Sequence, residues 1–256
     1  MNMMKSLYPK QLVKRALLLA TCVFMAAACN QAEEQQETET EEKKVSPLAH
    51  LTHDNIEADL KAYAAESPDS IVVIGTRHGE IKVRLFKDVP LHRANFVRLA
   101  KTGFYDQGEF YRVVKGFAVQ GGDSDNRTMK IGKYRIPQEY NPKYIHKRGA
   151  LAMARYGDER NPDKESSSHN FYIVLGEPVS AAELAAYEQQ RNMKYTPEQK
   201  EIYRTIGGEP SLDVEYTVFG EVIEGMDVVE KIAEEPVNAQ SWPITVVKHT
   251  VKVTNE

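Results

Sequence analysis

Cysteine is nearly absent from this chain of 256 residues. Its two cysteines, Cys22 and Cys29, both lie near the amino end, so the sequence after them cannot form an internal disulfide. The seven histidines are scattered and include no HxxxH or HxH pair, which argues against a metal site. Neither a GxGxxG nor a GxxxxGKS/T loop occurs, so nothing in the sequence implies a nucleotide cofactor.

A basic stripe is also missing, and the formal net charge is −4. The first 28 residues hold four of the 33 Lys and Arg residues and none of the 37 Asp and Glu residues, so the remainder carries −8. A chain with this charge and no interleaving of basic and aromatic residues is not expected to bind nucleic acid.

The apolar run Ala16–Ala28 follows four basic residues and is too short to span a bilayer comfortably. It ends in Met25-Ala-Ala-Ala-Cys29, which resembles a bacterial lipobox. We therefore predict a lipoprotein signal peptide over residues 1–28, acylation of Cys29 (palmitate included), and anchoring to the outer membrane of the cell envelope, on its periplasmic face or at the cell surface. The alternative is an ordinary Ala-x-Ala cleavage site that leaves Cys29 unmodified.

Six glutamates lie between Glu33 and Glu42, with no aromatic residue among them. This composition predicts an acidic, disordered tether over residues 29–47. The stretch is either a plain spacer or, by resemblance, a surface-export signal of the kind found in some gram-negative lipoproteins. A helical linker is expected over residues 48–69, with its helix at Asn55–Ala65 and Asp54 as the N-cap.

Short β-rich segments dominate the rest of the chain. Two helical patterns interrupt them, one opened by Pro90 and one at Met226–Ala233. The pattern has no alternation of strands and helices, so it favours an antiparallel barrel over a parallel sheet. The segments read as strands are Ser70–Thr76, Glu80–Phe86, Gly149–Arg155, Asn170–Leu175, Tyr216–Val222 and Ile244–Val253.

The stretch Phe110–Asp123 reads FYRVVKGFAVQGGD. It resembles the signature of the cyclophilin-type peptidyl-prolyl isomerases, F-x-R-x-x-x-G-F-x-x-Q-G-G-D, and meets all eight fixed positions. The resemblance extends over Ser70–Thr254. It implies a mostly β fold, a closed antiparallel eight-stranded β-barrel capped by two helices. An insertion over residues 177–210 departs from the family pattern.

The insertion looks like a helical hairpin. Ser180-Ala-Ala-Glu183 and Thr196-Pro-Glu-Gln199 are both capping boxes, and Pro197 occupies the favoured first helical position. Because Leu212 follows closely in sequence, the hairpin is expected to border the substrate groove. The other interpretation is a solvated decoration without a role, because long insertions cost little stability.

The resemblance implies cis/trans isomerisation of X–Pro bonds, which makes and breaks no bond and needs no cofactor. Arg112 would act as the electrostatic catalyst and Phe117 as part of a proline pocket. Gln120 would hold Arg112 and contact substrate backbone. A cationic, planar guanidinium suits the stabilisation of a twisted amide.

The resemblance also assigns the substrate-contacting positions outside these three residues. They are Ala118, Met153, Ala154, Arg155, Asn170, Tyr172, Leu212 and Tyr216. Met153, Tyr172 and Leu212 would complete the proline pocket. Asn170 would orient substrate backbone, and Tyr216 would lie at the rim.

We expect a monomeric peptidyl-prolyl isomerase that acts on unfolded or extended proline-containing clients of the cell envelope. Two departures leave an alternative open: Ala118 stands where the family usually has Met, and His169-Asn170 where it has Ser-Gln. The alternative is a peptide-binding chaperone that uses the same groove without catalysis. A purely structural lipoprotein would not need Arg112, Phe117 and Gln120 together.

Overall fold

A nine-stranded antiparallel sheet surrounds the hydrophobic core of residues 51–254, the part of the chain that the computed structural model describes. The strands of the chain are β1 (Ile71–Thr76), β2 (Gly79–Leu85), β3 (Gly108–Phe110), β4 (Arg112–Val114), β5 (Ala118–Gly121), β6 (Arg135–Ile136), β7 (Ala150–Met153), β8 (Ser166–Ser167), β9 (Phe171–Val174), β10 (Val218–Glu224) and β11 (Val247–Thr254). The large sheet has the order β3-β11-β1-β2-β10-β7-β9-β5-β4, and β6 pairs separately with β8. The predicted signal peptide, the whole predicted tether with Cys29, and residues 48–50 of the predicted linker lie outside the described residues.

The two edges of the large sheet meet, which closes it into a barrel. Its edge strands β3 and β4 are consecutive in the chain and are separated only by Tyr111. Across this junction, Glu109 N donates to Asp123 O at 3.0 Å, and Tyr111 N donates to Gln120 O at 3.0 Å. Counted as one strand, β3 and β4 give the eight-stranded antiparallel barrel that the sequence resemblance implied, and the predicted fold class is confirmed.

Five α-helices accompany the barrel within residues 51–254. They are α1 (Ile56–Glu66), α2 (Pro90–Lys101), α3 (Ala181–Arg191), α4 (Pro197–Thr205) and α5 (Met226–Ala233). None of these helices has the length and apolar character needed to cross a membrane. The bounds of α5 agree with the sequence prediction, whereas the strand predicted at Tyr216–Val222 begins two residues later, at Val218.

Helix α2 packs its apolar side chains into the main core and holds the segment that leads into β9. The fully buried Phe96 ring meets the Phe171 ring edge-on, with centroids 5.5 Å apart. Burial of such a side chain stabilises a fold by roughly 1.5–3 kcal/mol. From the same helix, Asn95 Nδ2 donates to the Ser168 carbonyl at 2.7 Å. The apolar burial therefore also anchors the segment that precedes β9.

Residues 51–69 are not a linker but a packed part of the domain. Leu51, Ile56, Leu60 and Tyr63 are all buried in the main core, and α1 lies against α2. The N-cap is Asn55 rather than the predicted Asp54, and the helix begins at Ile56. The segment is packed rather than free because three buried side chains of α1, together with Leu51, hold it against the core.

The insertion forms the predicted helical hairpin of α3 and α4. Both capping boxes are present: the Ser180 hydroxyl accepts from Glu183 N, and the Thr196 hydroxyl accepts from Gln199 N. The hairpin has a small core of its own, made of Ile145, Leu184, Tyr195 and Tyr203. It is thus a folded element that packs on the chain around Ile145.

His249 on β11 supports the glycine turn of the signature. It is 1% exposed, and its Nε2 accepts a hydrogen bond from Gly122 N at 3.1 Å. Burial, and to a lesser extent the charge of Arg127, lowers the pKa of His249 from 6.5 to about 3. The folded protein therefore keeps this imidazole neutral at pH values where the unfolded chain protonates it.

We predict that the free energy of unfolding falls as the pH drops from about 6.5 towards 3. Only the unfolded state binds the proton in this window, so His249 contributes a slope of up to about 1.4 kcal/mol per pH unit. Urea denaturation of wild type and His249→Gln at several pH values between 7 and 4 measures the slope. His249→Gln should be less stable at pH 7 but should lose less stability on acidification. Parallel pH profiles would contradict the assignment.

Candidate active site

The β4–β5 hairpin brings the signature side chains to one face of the barrel wall. Arg112 lies directly opposite Gln120 in the ladder, and directly opposed side chains project from the same side. Ala118 shares that side with Gln120, because side chains two residues apart point the same way. Gly116 has φ of 72°, a conformation that L side chains rarely adopt, and it allows the turn that places Phe117 beside Arg112.

A second apolar cluster covers the outer face of this wall. It consists of Ala118, Ala150, Ala152, Tyr172, Val174 and Val218, with Phe117, Ala154, Leu212 and Tyr216 packed against it. The alternate residues of the same strands, such as Val119 and Ile173, point into the main core. Period-two alternation therefore separates the pocket from the barrel interior.

The guanidinium of Arg112 is available to a ligand. It lies 5.9 Å from the centroid of the Phe117 ring, and it makes no hydrogen bond or ion pair to another of residues 51–254. An arginine side chain offers five N–H donors in a planar fork. At this position none of them is occupied by a described protein group.

Gln120 does not hold Arg112, contrary to the expectation from sequence. Its Nε2 donates to the hydroxyl of Tyr111 instead. Burial raises the pKa of the Tyr111 hydroxyl above its usual range, so this hydroxyl stays protonated. The contact fixes the Gln120 amide at the edge of the pocket and leaves Arg112 unconstrained by it.

A cavity of about 230 Å³ opens beside these residues. Its lining joins the signature hairpin to two later segments of the chain. The lining residues are Arg112, Phe117, Ala118, Gln120, Ala154, Arg155, Tyr172, Leu212 and Tyr216. The structure therefore brings together nine of the eleven residues that the sequence predicted for the site.

Met153 is one of the two exceptions, and its assignment to the proline pocket is corrected. The side chain is fully buried in the main core together with Leu151. Strand alternation on β7 explains this, since Ala152 and Ala154 point to the pocket side and Met153 points inward.

Asn170 lies in a larger neighbouring groove of about 810 Å³. Gln120, Ala154 and Arg155 line both cavities, so the pocket and the groove are continuous along this edge. The Asn170 carbonyl accepts from Ala154 N at 2.8 Å, which ties the two walls of the groove together. An extended peptide with one residue in the pocket could continue along this groove.

Arg155 is engaged by the protein. Its guanidinium donates to the Glu215 carboxylate at 2.8 Å and to the Glu215 carbonyl at 2.7 Å, and it lies 4.8 Å from the Tyr216 ring centroid. Its side chain is only 4% exposed. Arg155 therefore stabilises the rim that carries Tyr216, while Arg112 keeps its donors for a ligand.

Sequence reasoning missed a buried polar chain behind the pocket. The Tyr172 hydroxyl lies 3.0 Å from His146 Nε2, and His146 Nδ1 lies 2.7 Å from Asp213 Oδ1. The three residues are far apart in sequence, and only the presence of Tyr172 where the family usually has Phe hinted at a polar partner. Within residues 51–254, no three His, Cys, Asp or Glu side chains come together as metal ligands would.

Comparison with known proteins agrees with this geometry. The family model for cyclophilin type peptidyl-prolyl cis-trans isomerases matches residues 71–253. A relative from Staphylococcus epidermidis, named as a peptidyl-prolyl cis-trans isomerase, is 34% identical over 177 residues, which cover 68% of this chain and 85% of the relative. A Staphylococcus aureus relative of the same name is 32% identical with the same coverage.

The fold is also that of solved cyclophilins. A crystal structure of a Cryptosporidium parvum cyclophilin type isomerase superimposes with a TM-score of 0.55 at 24% identity and covers 73% of this chain and 99% of that one. A second structure, determined in the presence of the dipeptide Ala-Pro, gives a TM-score of 0.53 at 23% identity with the same coverage. From the signature geometry, the family match and the curated relatives together, the chain belongs to the cyclophilin-type peptidyl-prolyl cis-trans isomerases.

Proposed function

We propose that Arg112 is the electrostatic catalyst of this isomerase and that the 230 Å³ cavity holds the proline ring of the substrate. Rotation about an X–Pro bond is slow because amide resonance sets a barrier of about 18–20 kcal/mol. Twisting the bond localises the lone pair on the proline nitrogen. An unpaired guanidinium beside the pocket stabilises that twisted state more than either planar form, which is what catalysis requires.

A single hydrogen bond from Arg112 would supply only part of the rate enhancement, and the apolar pocket would supply the rest. One charge-assisted hydrogen bond contributes about 1.5–3 kcal/mol, which corresponds to roughly a 10- to 150-fold acceleration. The remainder comes from Phe117, Tyr172 and Leu212, which grip the ring while the preceding carbonyl rotates. Gln120 and Asn170 lie where they can orient the backbone of a peptide that runs along the larger groove. The Ala-Pro dipeptide used with the Cryptosporidium parvum protein supports a proline ligand for this pocket.

The proposal rests mainly on one observation: the Arg112 guanidinium has no hydrogen-bond or ion-pair partner among the described residues. We predict that Arg112→Ala lowers kcat/KM on an Ala-Pro-Phe peptide by about 10- to 150-fold, the contribution of one charge-assisted hydrogen bond. The melting temperature should stay near that of wild type, because no described protein contact of the guanidinium other than the Phe117 ring is lost. A chymotrypsin-coupled assay measures the rate.

Arg84→Ala is the matched control, since Arg84 is an exposed strand arginine outside the pocket whose guanidinium pairs, within residues 51–254, only with Glu221. It should retain wild-type activity. Equal activity of Arg112→Ala and Arg84→Ala would remove the catalytic assignment. A wild-type protein that bound the peptide without accelerating its isomerisation would favour the chaperone function instead.

We further propose that the enzyme works as a monomer in the cell envelope, tethered by acylated Cys29, on extended proline-containing clients. The basic segment, the apolar run and the Ala-Ala-Ala-Cys29 sequence support this location. Several acyl chains anchor firmly where a single chain binds only marginally. The acidic segment from residue 29 to residue 47 is long enough to let the domain reach clients at a distance from the membrane.

We predict that Cys29→Ala moves the enzyme from the membrane fraction to the soluble fraction and abolishes incorporation of labelled palmitate. Cys22→Ala is the matched control, because this cysteine lies inside the apolar run. The Cys22→Ala protein should incorporate palmitate and fractionate with the membrane as wild type does. Protease treatment of intact cells then assigns the membrane face. If wild type incorporates no acyl label, the lipoprotein assignment fails while the isomerase assignment stands.

A further inference from the structure

The pocket floor contains a buried hydroxyl that needs a polar partner. Tyr172 is 6% exposed, and burial raises the pKa of its hydroxyl well above its usual range, so the hydroxyl keeps its proton. Burying an unpaired hydroxyl is unfavourable, and His146 Nε2 at 3.0 Å supplies the partner. The His146 ring stacks nearly parallel to that of Tyr172, with an interplanar angle of 12°.

His146 in turn depends on Asp213. His146 is 1% exposed and its Nδ1 lies 2.7 Å from Asp213 Oδ1, to which His146 N also donates at 2.9 Å. A carboxylate only accepts hydrogen bonds, so Nδ1 carries a proton and donates. This contact fixes the orientation of the imidazole and leaves Nε2 for Tyr172.

The insertion supplies the remaining partners of Asp213. This carboxylate is 2% exposed, and its Oδ2 accepts from the hydroxyls of Tyr195 at 2.7 Å and Tyr203 at 2.5 Å. A buried carboxylate is tolerated only where donors satisfy it. Among the described residues, two of the four hydrogen bonds that the Asp213 carboxylate accepts therefore come from the hairpin of α3 and α4, and the other two come from His146.

A second contact reaches the same rim from the insertion. Arg191, the last residue of α3, donates to the Glu215 carboxylate and to the Ser211 carbonyl. In the segment from Ser211 to Tyr216, Leu212 and Tyr216 therefore line the pocket. Asp213 and Glu215 of the same segment bind His146 and Arg191. Between these two acidic residues, Val214 adopts φ of 62°, a strained conformation for a β-branched residue.

We propose that Tyr195 and Tyr203 are positioning residues that hold the Tyr172 ring of the proline pocket in place through Asp213 and His146, so that the insertion tunes catalysis. This inference rests on the proposed role of the pocket as the proline site. Every step is made by hydrogen bonds between buried groups, and hydrogen bonds in such a chain polarise and strengthen one another. The insertion therefore serves the reaction without touching the substrate.

A double-mutant cycle between Tyr203→Phe and Tyr172→Phe tests the proposal. Each substitution removes one hydroxyl and keeps the ring, so each should lower kcat/KM on an Ala-Pro-Phe peptide by about threefold to tenfold, the range expected for one hydrogen bond. The two substitutions break the same chain, so the double variant should be no slower than Tyr172→Phe alone. A merely structural role for Tyr203 would lower the melting temperature without this non-additivity.

Tyr187→Phe is the matched control within α3, because the Tyr187 hydroxyl forms no hydrogen bond inside the described part of the chain. Its kcat/KM should equal that of wild type. Should Tyr203→Phe fail to fold, Tyr195→Phe removes the other donor to the same carboxylate oxygen and replaces it in the cycle. Wild-type kcat/KM in a folded Tyr203→Phe protein, or multiplicative losses in the double variant, would overturn the proposal.

Arg112→Ala is measured in parallel and separates this inference from the proposed function. A slow Arg112→Ala variant beside an active wild type upholds the catalytic assignment. Multiplicative losses of kcat/KM in the tyrosine cycle would then overturn only the positioning role of the insertion.

Discussion

The proposed chemistry of this barrel depends on one arginine, Arg112, whose guanidinium lies beside an apolar pocket with no hydrogen-bond or ion-pair partner among residues 51–254. Other arginines near the site are used structurally. Arg155 binds Glu215, and Arg127 donates to the carbonyls of Phe104 and Gly122. Arg155 and Arg127 are therefore held by protein groups, whereas Arg112, which lines the pocket, forms no such contact within residues 51–254.

The polar side chains around Arg112 bind other protein groups and leave the N–H groups of its guanidinium facing the pocket. Gln120, which lies directly opposite, gives its amide to Tyr111. The polar group that Tyr172 adds to the pocket is bound from behind by His146. The pocket therefore combines an apolar surface with an unpaired cation, which is what the proposed proline ligand requires, while the polar side chains Gln120 and Tyr172 bind other protein groups.

The sequence was sufficient for the parts of the fold and the site that depend on local pattern. The signature spacing located Arg112, Phe117 and Gln120, and the capping boxes at Ser180 and Thr196 located both helices of the insertion. Met153 was placed on the wrong side of its strand, although the alternation of Ala150 and Ala152 with Leu151 and Met153 contains the information needed to correct it.

Other features depend on contacts between segments distant in the chain, and no local pattern could reveal them. Asp213 meets His146 across 67 positions of sequence, and a buried carboxylate cannot be recognised before its burial is known. The packing of α1 was missed for a similar reason. Its apolar residues looked like a short linker helix, and only the presence of α2 beside them makes that face part of the core.

The most direct test of the account replaces the guanidinium while keeping its charge. Exchange NMR on an Ala-Pro peptide, with wild type and Arg112→Lys at equal concentration, measures the cis/trans interconversion rate of bound peptide and its affinity in one experiment. If a planar fork of donors stabilises the twisted bond, Arg112→Lys should bind the peptide as wild type does and lose most of the acceleration. An unchanged interconversion rate in Arg112→Lys would contradict the account.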